Sequence, residues 1–305
     1  MKILVLGNSD IFQRKVYPAL NQLKKIRIEL ASRKKIKENY DIQKSYDSYE
    51  NALKKTKAKI VYISLINSEH FKWAIKSLKK NKHVIIDKPF TINFNETKKI
   101  ISLAKKKQLF LSEAIVFQYH KQFKDIFKKI DLKKKLIIKS FFHIPKLDRK
   151  NFRNKSKFGG GCFHDMSSYA TFMINFFFKN KNFIYKKISH SNIKHVSNNF
   201  KIIAKSKNIL LSSSFSFNSS YKNYIIISSG KLSYRINFAF SPPIGSITTV
   251  KKYDRIKKKV VLINFKSQNS FYTYFNKIFN IIKRKKYNFF YDEIKKNAEI
   301  KKEIS

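Results

Sequence analysis

The stretch VYISLINSEHFKWAIKSLKKNKHVIIDKPF, residues 61–90, decides how the chain reads. Two apolar runs, Lys59–Leu65 and His83–Ile86, flank a segment with Phe71, Ala74, Ile75 and Leu78 at helical spacing. Short continuous apolar runs suit strands buried on both faces, as in parallel sheets. A strand, a helix and a second strand then make a right-handed crossover. Both strands end on the carboxyl edge of the sheet, where open α/β sheets take their ligands. The first end carries Leu65, Asn67 and His70, and the second carries Asp87-Lys88-Pro89. Pro89 gives up a ladder donor where the strand stops, and Lys88, held between a carboxylate and a proline, is set to point into the crevice.

The same alternation extends outward. Ile3–Leu6 reads as a strand ending at Gly7, followed by a helix over Ile11–Lys25, a strand at Arg27–Ala31 and a helix over Tyr46–Lys55. Beyond the central unit come a helix at Asn95–Lys106 and a strand at Leu109–Ser112. This predicts an N-terminal Rossmann domain, residues 1–118, with a doubly wound parallel sheet. After Ala114 the pattern changes to longer strand-like runs at Leu136–His143, Phe183–Ser189, Phe200–Ala204, Ile209–Phe217, Tyr224–Ile227 and Lys231–Phe240. One helix fits Asp165–Phe178, and two more, Phe271–Lys283 and Asp292–Glu303, close the chain. Residues 119–305 therefore read as an α+β domain with a large, mainly antiparallel sheet. A chain of 305 residues suits two domains of ~150 residues each.

Three further clusters bear on chemistry. Gly7-Asn8-Ser9-Asp10-Ile11-Phe12 joins the first strand to the first helix, where free backbone N–H groups can meet a pyrophosphate. Gly7, Ser9, Asp10 and Ile11 are the candidate contacts. The dinucleotide fingerprint asks for three glycines; Ser9 and Phe12 stand in two of those places, so the turn alone also fits an ordinary strand–helix connection. The second strand ends in Ser32-Arg33-Lys34, a hydroxyl and two cations where an NAD site has an acid for the ribose hydroxyl. That favours the 2′-phosphate of NADP over NAD. Gly159-Gly160-Gly161 groups three of the chain's six glycines just before a helix. Asp165 and Tyr169 lie four apart and share a helix face, so a carboxylate and a phenol can orient one hydroxyl and exchange its proton. His164 points about 100° away from Asp165 and reads as structural.

The net charge is +48, from 59 Lys, only 8 Arg and 19 acids. Nucleic-acid readers favour Arg for bidentate contacts. Here Lys, Asn, Ile, Phe and Tyr, all with AT-rich codons, are abundant, and Gly and Pro, with GC-rich codons, are scarce. The charge is read as base composition, so nucleic acid is not the expected partner. A single cysteine, Cys162, excludes an internal disulfide and a thiolate zinc cluster, and no metal site is expected. No apolar run reaches the ~18 residues of a membrane span, and the opening apolar run is short for a secretory signal. The expectation is a cytoplasmic protein without a membrane partner.

The motifs resemble the glucose–fructose oxidoreductase/inositol dehydrogenase (Gfo/Idh/MocA) family. Its block "stPn..H…al..GkHV..EKP" stands here as ISLINSEH and KWAIKSLKKNKHVIIDKP; its "GGG.l.D.g.H/Y" stands as GGGCFHDMSSY. Glu113-Ala114 with His120 resembles the family's interdomain "EA…R.HP", and Tyr221–Pro243 a segment of its second domain. Asp87 replaces the usual Glu, Asn81 the usual Gly, Ile66 a frequent Pro, and Phe12 the small third residue of the fingerprint. The resemblance implies an NADP- or NAD-dependent oxidoreductase acting on a hydroxyl or keto group of a sugar-like small molecule: a free sugar, a nucleotide-linked sugar or a cyclitol. Lys88, Asp165 and Tyr169 carry over as catalytic residues, Tyr169 marking the branch with Tyr at the last position. Acting together, they require the two domains to meet at one cleft. Leu65, Asn67, His70, Asp87 and Lys88 border the cofactor. The resemblance also implies a homo-oligomer, a dimer or tetramer. Two other readings use the same residues: a family member that binds cofactor without turnover, and a basic polyanion-binding protein on the same fold.

Overall fold

Fully buried apolar side chains build the first sheet. Its strands are β1 (Lys2–Leu6), β2 (Arg27–Ala31), β3 (Lys44–Tyr46), β4 (Ile60–Ile63), β5 (His83–Ile86) and β6 (Leu111–Glu113). They run parallel in the order β3-β2-β1-β4-β5-β6. The computed structural model describes residues 1–33, 40–178, 182–193, 196–285 and 287–305. Ile3 through Leu6, Ile60 through Ile63 and Val84 through Ile86 are all excluded from solvent, as parallel strands covered on both faces must be. The strand order reverses between β1 and β4, so the carboxyl ends of these two strands flank the crevice of a doubly wound sheet.

The connections are α1 (Tyr17–Asn21), α2 (Tyr49–Lys55), α3 (His70–Lys79) and α4 (Phe94–Lys106). Helix α3 buries Trp73, Ala74, Ser77 and Leu78 on one face, and Asn81 just beyond it takes φ +55°. Asn is the residue after Gly that best tolerates this left-handed turn, so the replacement at Asn81 leaves the connection intact. Two expectations change. The helix expected over Tyr46–Lys55 starts at Tyr49, capped by Ser48 accepting from the Asn51 N–H at 3.4 Å, and Tyr46 instead ends the edge strand β3. The first helix is also not uniform: Phe12–Val16 forms a wide π-helical turn before α1.

The second sheet has eight strands: β7 (Leu136–His143), β8 (Ile184–Ile193), β9 (Val196–Lys205), β10 (Ile209–Ser216), β11 (Lys222–Ser229), β12 (Leu232–Asn237), β13 (Thr248–Asp254) and β14 (Lys259–Phe265). Their order is β14-β13-β12-β11-β7-β10-β9-β8; β7 and β10 run parallel and the other neighbours antiparallel. Helices α5 (Lys121–Phe127) and α6 (Cys162–Phe178) belong to this unit. Helix α6 buries Cys162, Met166, Ala170, Met173, Ile174 and Phe177, and runs against β9 and β10. The β13–β14 hairpin was not expected: five of seven β14 side chains are exposed, so no buried alternation marks it.

Two last helices are α7 (Ser270–Arg284) and α8 (Asn288–Glu303). Compact packing groups Met1–Ile115 with Phe271–Ala298, and Val116–Ser270 with Glu299–Ser305. The C-terminal helices expected in the second domain thus largely return to the first. Aromatic side chains draw them there: the Tyr274 hydroxyl meets Ser112 Oγ at 2.9 Å, Tyr291 donates to the Leu109 carbonyl, and the Phe275 ring packs edge-on to Tyr62. Among the described residues, no helix is long and apolar enough to cross a membrane. None of their His, Cys, Asp and Glu side chains cluster so as to hold a metal ion.

Candidate active site

Glycine is obligatory where β1 ends. Gly7 has φ +106°, and a Cβ there would lie 2.2 Å from the Ser64 carbonyl oxygen. Its N–H donates to Ala31 O at 2.9 Å, which holds the turn between the ends of β2 and β4. Ser9 Oγ stands 2.6 Å from Ser64 Oγ and accepts from the Phe12 N–H at 3.1 Å. Ile11 opens the helix, while Asp10 faces outward and pairs with Arg14 one turn on. Phe12 is fully buried, with its ring edge-on to Tyr17 and Tyr40, each 6.0 Å away. The π-helical turn beginning at Phe12 widens the helix where the fingerprint wants a small residue, and so makes room for the ring.

At the end of β2, Ser32 is buried and its N–H donates to Tyr46 O at 2.9 Å. Arg33 is exposed, its guanidinium 5.1 Å from the centre of the Tyr49 ring, a cation–π arrangement that steadies a long side chain. Lys34, the third residue of that cluster, lies outside the described residues.

The ends of β4 and β5 are tied together. His70 is fully buried, with Nδ1 2.8 Å from Pro89 O and Nε2 3.1 Å from Leu65 O, so its ring serves the backbone of both turns. Asn67 is buried in a single tight turn, Asn67–Glu69, ahead of α3. Asp87 follows β5, and Ser64 Oγ donates to its Oδ2 at 3.4 Å. Burial pushes the Asp87 carboxyl up to about 6 against the opposing pull of the Lys88 ammonium. The Lys88–Pro89 peptide bond is cis, and beyond it the Phe90 N–H donates to Glu113 Oε1 at 3.0 Å. The first unit therefore assembles Gly7, Ser9, Leu65, Asp87 and Lys88 at the ends of β1, β4 and β5. Ser64, which joins them, was not singled out from the sequence.

The second unit holds the other candidates. A Cβ on Gly160 would lie 2.5 Å from Arg153 O and 2.7 Å from Lys155 O. Gly161, at φ +105°, donates to Arg153 O at 2.7 Å. The glycine triplet thus folds tightly over the backbone of 153–155 and launches α6. In the first turn of that helix Asp165 is 4% exposed, and Arg153 Nε donates to its Oδ1 at 3.0 Å. The same guanidinium lies 4.7 Å over the Phe152 ring. Arg153 was also missed, although the scarcity of Arg in this chain was a signal. One turn on, the half-buried Tyr169 sits among Phe117, Phe142 and Phe240, with ring centres 5.7, 5.3 and 5.2 Å away. A carboxyl acceptor and an apolar-walled phenol on one helix face can orient a substrate hydroxyl and exchange its proton.

Residues 1–115 match the family described as oxidoreductase family, NAD-binding Rossmann fold (Gfo/Idh/MocA). That match covers the first unit's sheet and is what the N-terminal part of the chain is similar to. Among curated proteins it is similar to the uncharacterized oxidoreductase ORF334 of Rhizobium meliloti, 27% identical over 174 residues, 54% of this chain and 52% of that one. It is also similar to dTDP-3,4-didehydro-2,6-dideoxy-alpha-D-glucose 3-reductase of Saccharopolyspora spinosa, 27% identical over 177 residues, 55% of this chain and 53% of that one. The chain thus spans about half the length of the curated relatives it matches. Among solved structures it resembles KijD10, a 3-ketoreductase from Actinomadura kijaniata in complex with NADP and TDP-benzene. The TM-score is 0.91 at 17% identity, over 100% of this chain and 96% of that one. At that identity the likeness speaks for the fold.

Proposed function

We propose that this chain belongs to the Gfo/Idh/MocA family and is an NADP(H)-dependent oxidoreductase that moves hydride between the nicotinamide and a keto or hydroxyl carbon of a nucleotide-linked sugar. The observation that carries the reading is the turn at Gly7, where the backbone is pressed against Ser64 O at the switch point of the sheet. A turn of that shape, opening a helix, offers N–H groups to a pyrophosphate and keeps side chains away from it. Ser32 and Arg33 at the end of β2, a hydroxyl and a cation, support NADP over NAD. The substrate class draws on the Saccharopolyspora spinosa reductase and on the KijD10 complex with TDP-benzene.

When bound, the nicotinamide supplies or accepts the hydride. The residues of the chain handle position and the proton. Asp165, oriented by Arg153, accepts from a substrate hydroxyl. Tyr169 carries the proton to or from the reacting oxygen, and Lys88 polarises that oxygen. A cytoplasmic homo-oligomer without a membrane or nucleic-acid partner completes the proposal.

Fluorescence titration with NADPH and NADH tests the cofactor half of the reading. NADPH is expected to bind several-fold more tightly, and Arg33→Asp to flatten or reverse the preference. Equal or tighter binding of NADH by the parent protein would refute the preference, and no binding of either nucleotide would refute the function.

A further inference from the structure

The end of β4 carries, at the first place of the block compared with "stPn..H", a hydroxyl that the proposed mechanism does not use. Ser64 follows β4, and its Oγ lies 2.6 Å from Ser9 Oγ and 3.4 Å from Asp87 Oδ2. Ser9 Oγ in turn accepts from the Phe12 N–H at 3.1 Å. These four groups span the ends of β1, β4 and β5. Each hydroxyl has one proton to give. An ionised Asp87 can only accept, so Ser64 gives its proton to Asp87 and must accept from Ser9. The Ser9 proton is then directed inward, towards Ser64, and the chain of bonds runs in one direction: Phe12 N–H to Ser9, Ser9 to Ser64, Ser64 to Asp87.

We propose that Ser64 is a positioning residue for cofactor binding, which turns the Ser9 hydroxyl inward and makes the Gly7–Phe12 turn and the Asp87–Lys88 strand end one unit. This rests on the proposed nucleotide site. It assigns the anion to the backbone N–H groups of the turn, whereas Ser9 acts through Ser64 and not by direct contact. It also means that the phosphate turn is set in part by Asp87, two strands away from it in the sheet.

A double-mutant cycle on NADPH affinity separates direct contact from action through Ser64. Ser9→Ala and Ser64→Ala should each weaken binding by about fivefold, the scale of one lost hydrogen bond. Ser9→Ala placed in the Ser64→Ala background should then cost less than about twofold more, since the path is already cut. Ser64→Thr, which keeps the hydroxyl, should restore parent affinity, a rescue that general damage to the fold does not produce. Thermal melts of every variant accompany the titrations, and Asp87→Ala serves as the second background if Ser64→Ala does not fold. Equal cost of Ser9→Ala in both backgrounds, or parent affinity in Ser64→Ala, would overturn the inference while leaving the functional reading in place. A parent protein that binds neither NADPH nor NADH would overturn the functional reading itself.

Discussion

Two glycine-bearing turns in this molecule lead into helices, and they are built for opposite purposes. At Gly7 the close contact comes from another strand, the Ser64 carbonyl, and the space around the helix start is lined by N–H and O–H groups. At Gly160 the close contact comes from the turn's own loop, the carbonyls of Arg153 and Lys155; the Phe163 N–H at the helix start donates to Ser197 Oγ at 3.0 Å, and Asp165 accepts from Arg153. In the proposed reading the first helix end takes an anion. A glycine ahead of a helix is therefore not a ligand signal in itself; the acid at the first helix start, Asp10, is exposed and paired with Arg14, whereas the acid at the second, Asp165, is buried against Arg153.

The largest effects that test this contrast come from filling the glycines. Gly7→Ala and Gly160→Ala should each cost on the order of 3 kcal/mol or more in chemical denaturation, because backbone atoms occupy the space a Cβ needs. They should differ in binding: Gly7→Ala abolishes nicotinamide-nucleotide binding, whereas folded Gly160→Ala retains it and loses turnover. Similar losses of cofactor affinity in both variants would break the contrast. Phe12→Ala should cost about 3–5 kcal/mol, since it empties a fully buried site. A stabilised protein would mean that the wide turn is strained by Phe12 and not fitted to it.

Removing a charge acts on a smaller scale. Arg153→Ala leaves the Asp165 carboxylate buried without its guanidinium and should cost about 2–3 kcal/mol. Adding Asp165→Asn should return part of that loss in a denaturant melt, because no buried charge then remains uncompensated. An additive second loss would place the role of Arg153 in its Phe152 contact.

The smallest expected effects are pH-dependent and opposite in sign. Asp87, raised from 3.8 to about 6, keeps its proton in the folded protein where the unfolded chain has lost it. Its contribution falls as pH rises from about 4 to 6, by on the order of 2 kcal/mol. Burial lowers His120 of the second unit from 6.5 to about 4, so there the unfolded chain binds the extra proton. Its contribution is lost as pH falls from about 6.5 to 4, on a similar scale. Relative to the parent, Asp87→Asn should gain stability towards neutral pH and His120→Gln towards acid pH, measured by urea melts. Parallel profiles for both variants would contradict the assigned causes.

The elements legible in the sequence were those whose burial writes a pattern. His83–Ile86 and Leu136–His143 were found with their observed ends, the first because a continuous apolar run stops at Asp87-Lys88-Pro89. The short edge strand β3, helix α5 and the exposed β13–β14 hairpin leave no such mark. The return of α7 and α8 to the first unit depends on contacts such as Tyr274 with Ser112, 162 residues apart. The candidate site followed the same rule. Gly7, Lys88, Asp165 and Tyr169 stand in recognisable local runs, and their chemistry can be argued from neighbours in sequence. Ser64 and Arg153 matter through distant partners: Ser9 lies 55 residues from Ser64, and Asp165 lies 12 from Arg153. Neither pairing could be read before the fold brought the residues together.

Hydride transfer by the parent protein and its Tyr169→Phe variant tests the central claim most directly. Consumption of NADPH is followed by absorbance with a panel of nucleotide-linked keto sugars, alongside NADPH titration of both proteins. The account predicts turnover by the parent on at least one of these sugars. In Tyr169→Phe it predicts NADPH affinity within about twofold and turnover lower by at least ~100-fold, the scale of a lost proton-transfer group. Turnover in Tyr169→Phe equal to that of the parent would contradict the assignment of the proton to Tyr169, and a parent that binds NADPH yet consumes none with any sugar of the panel would contradict the proposed reaction.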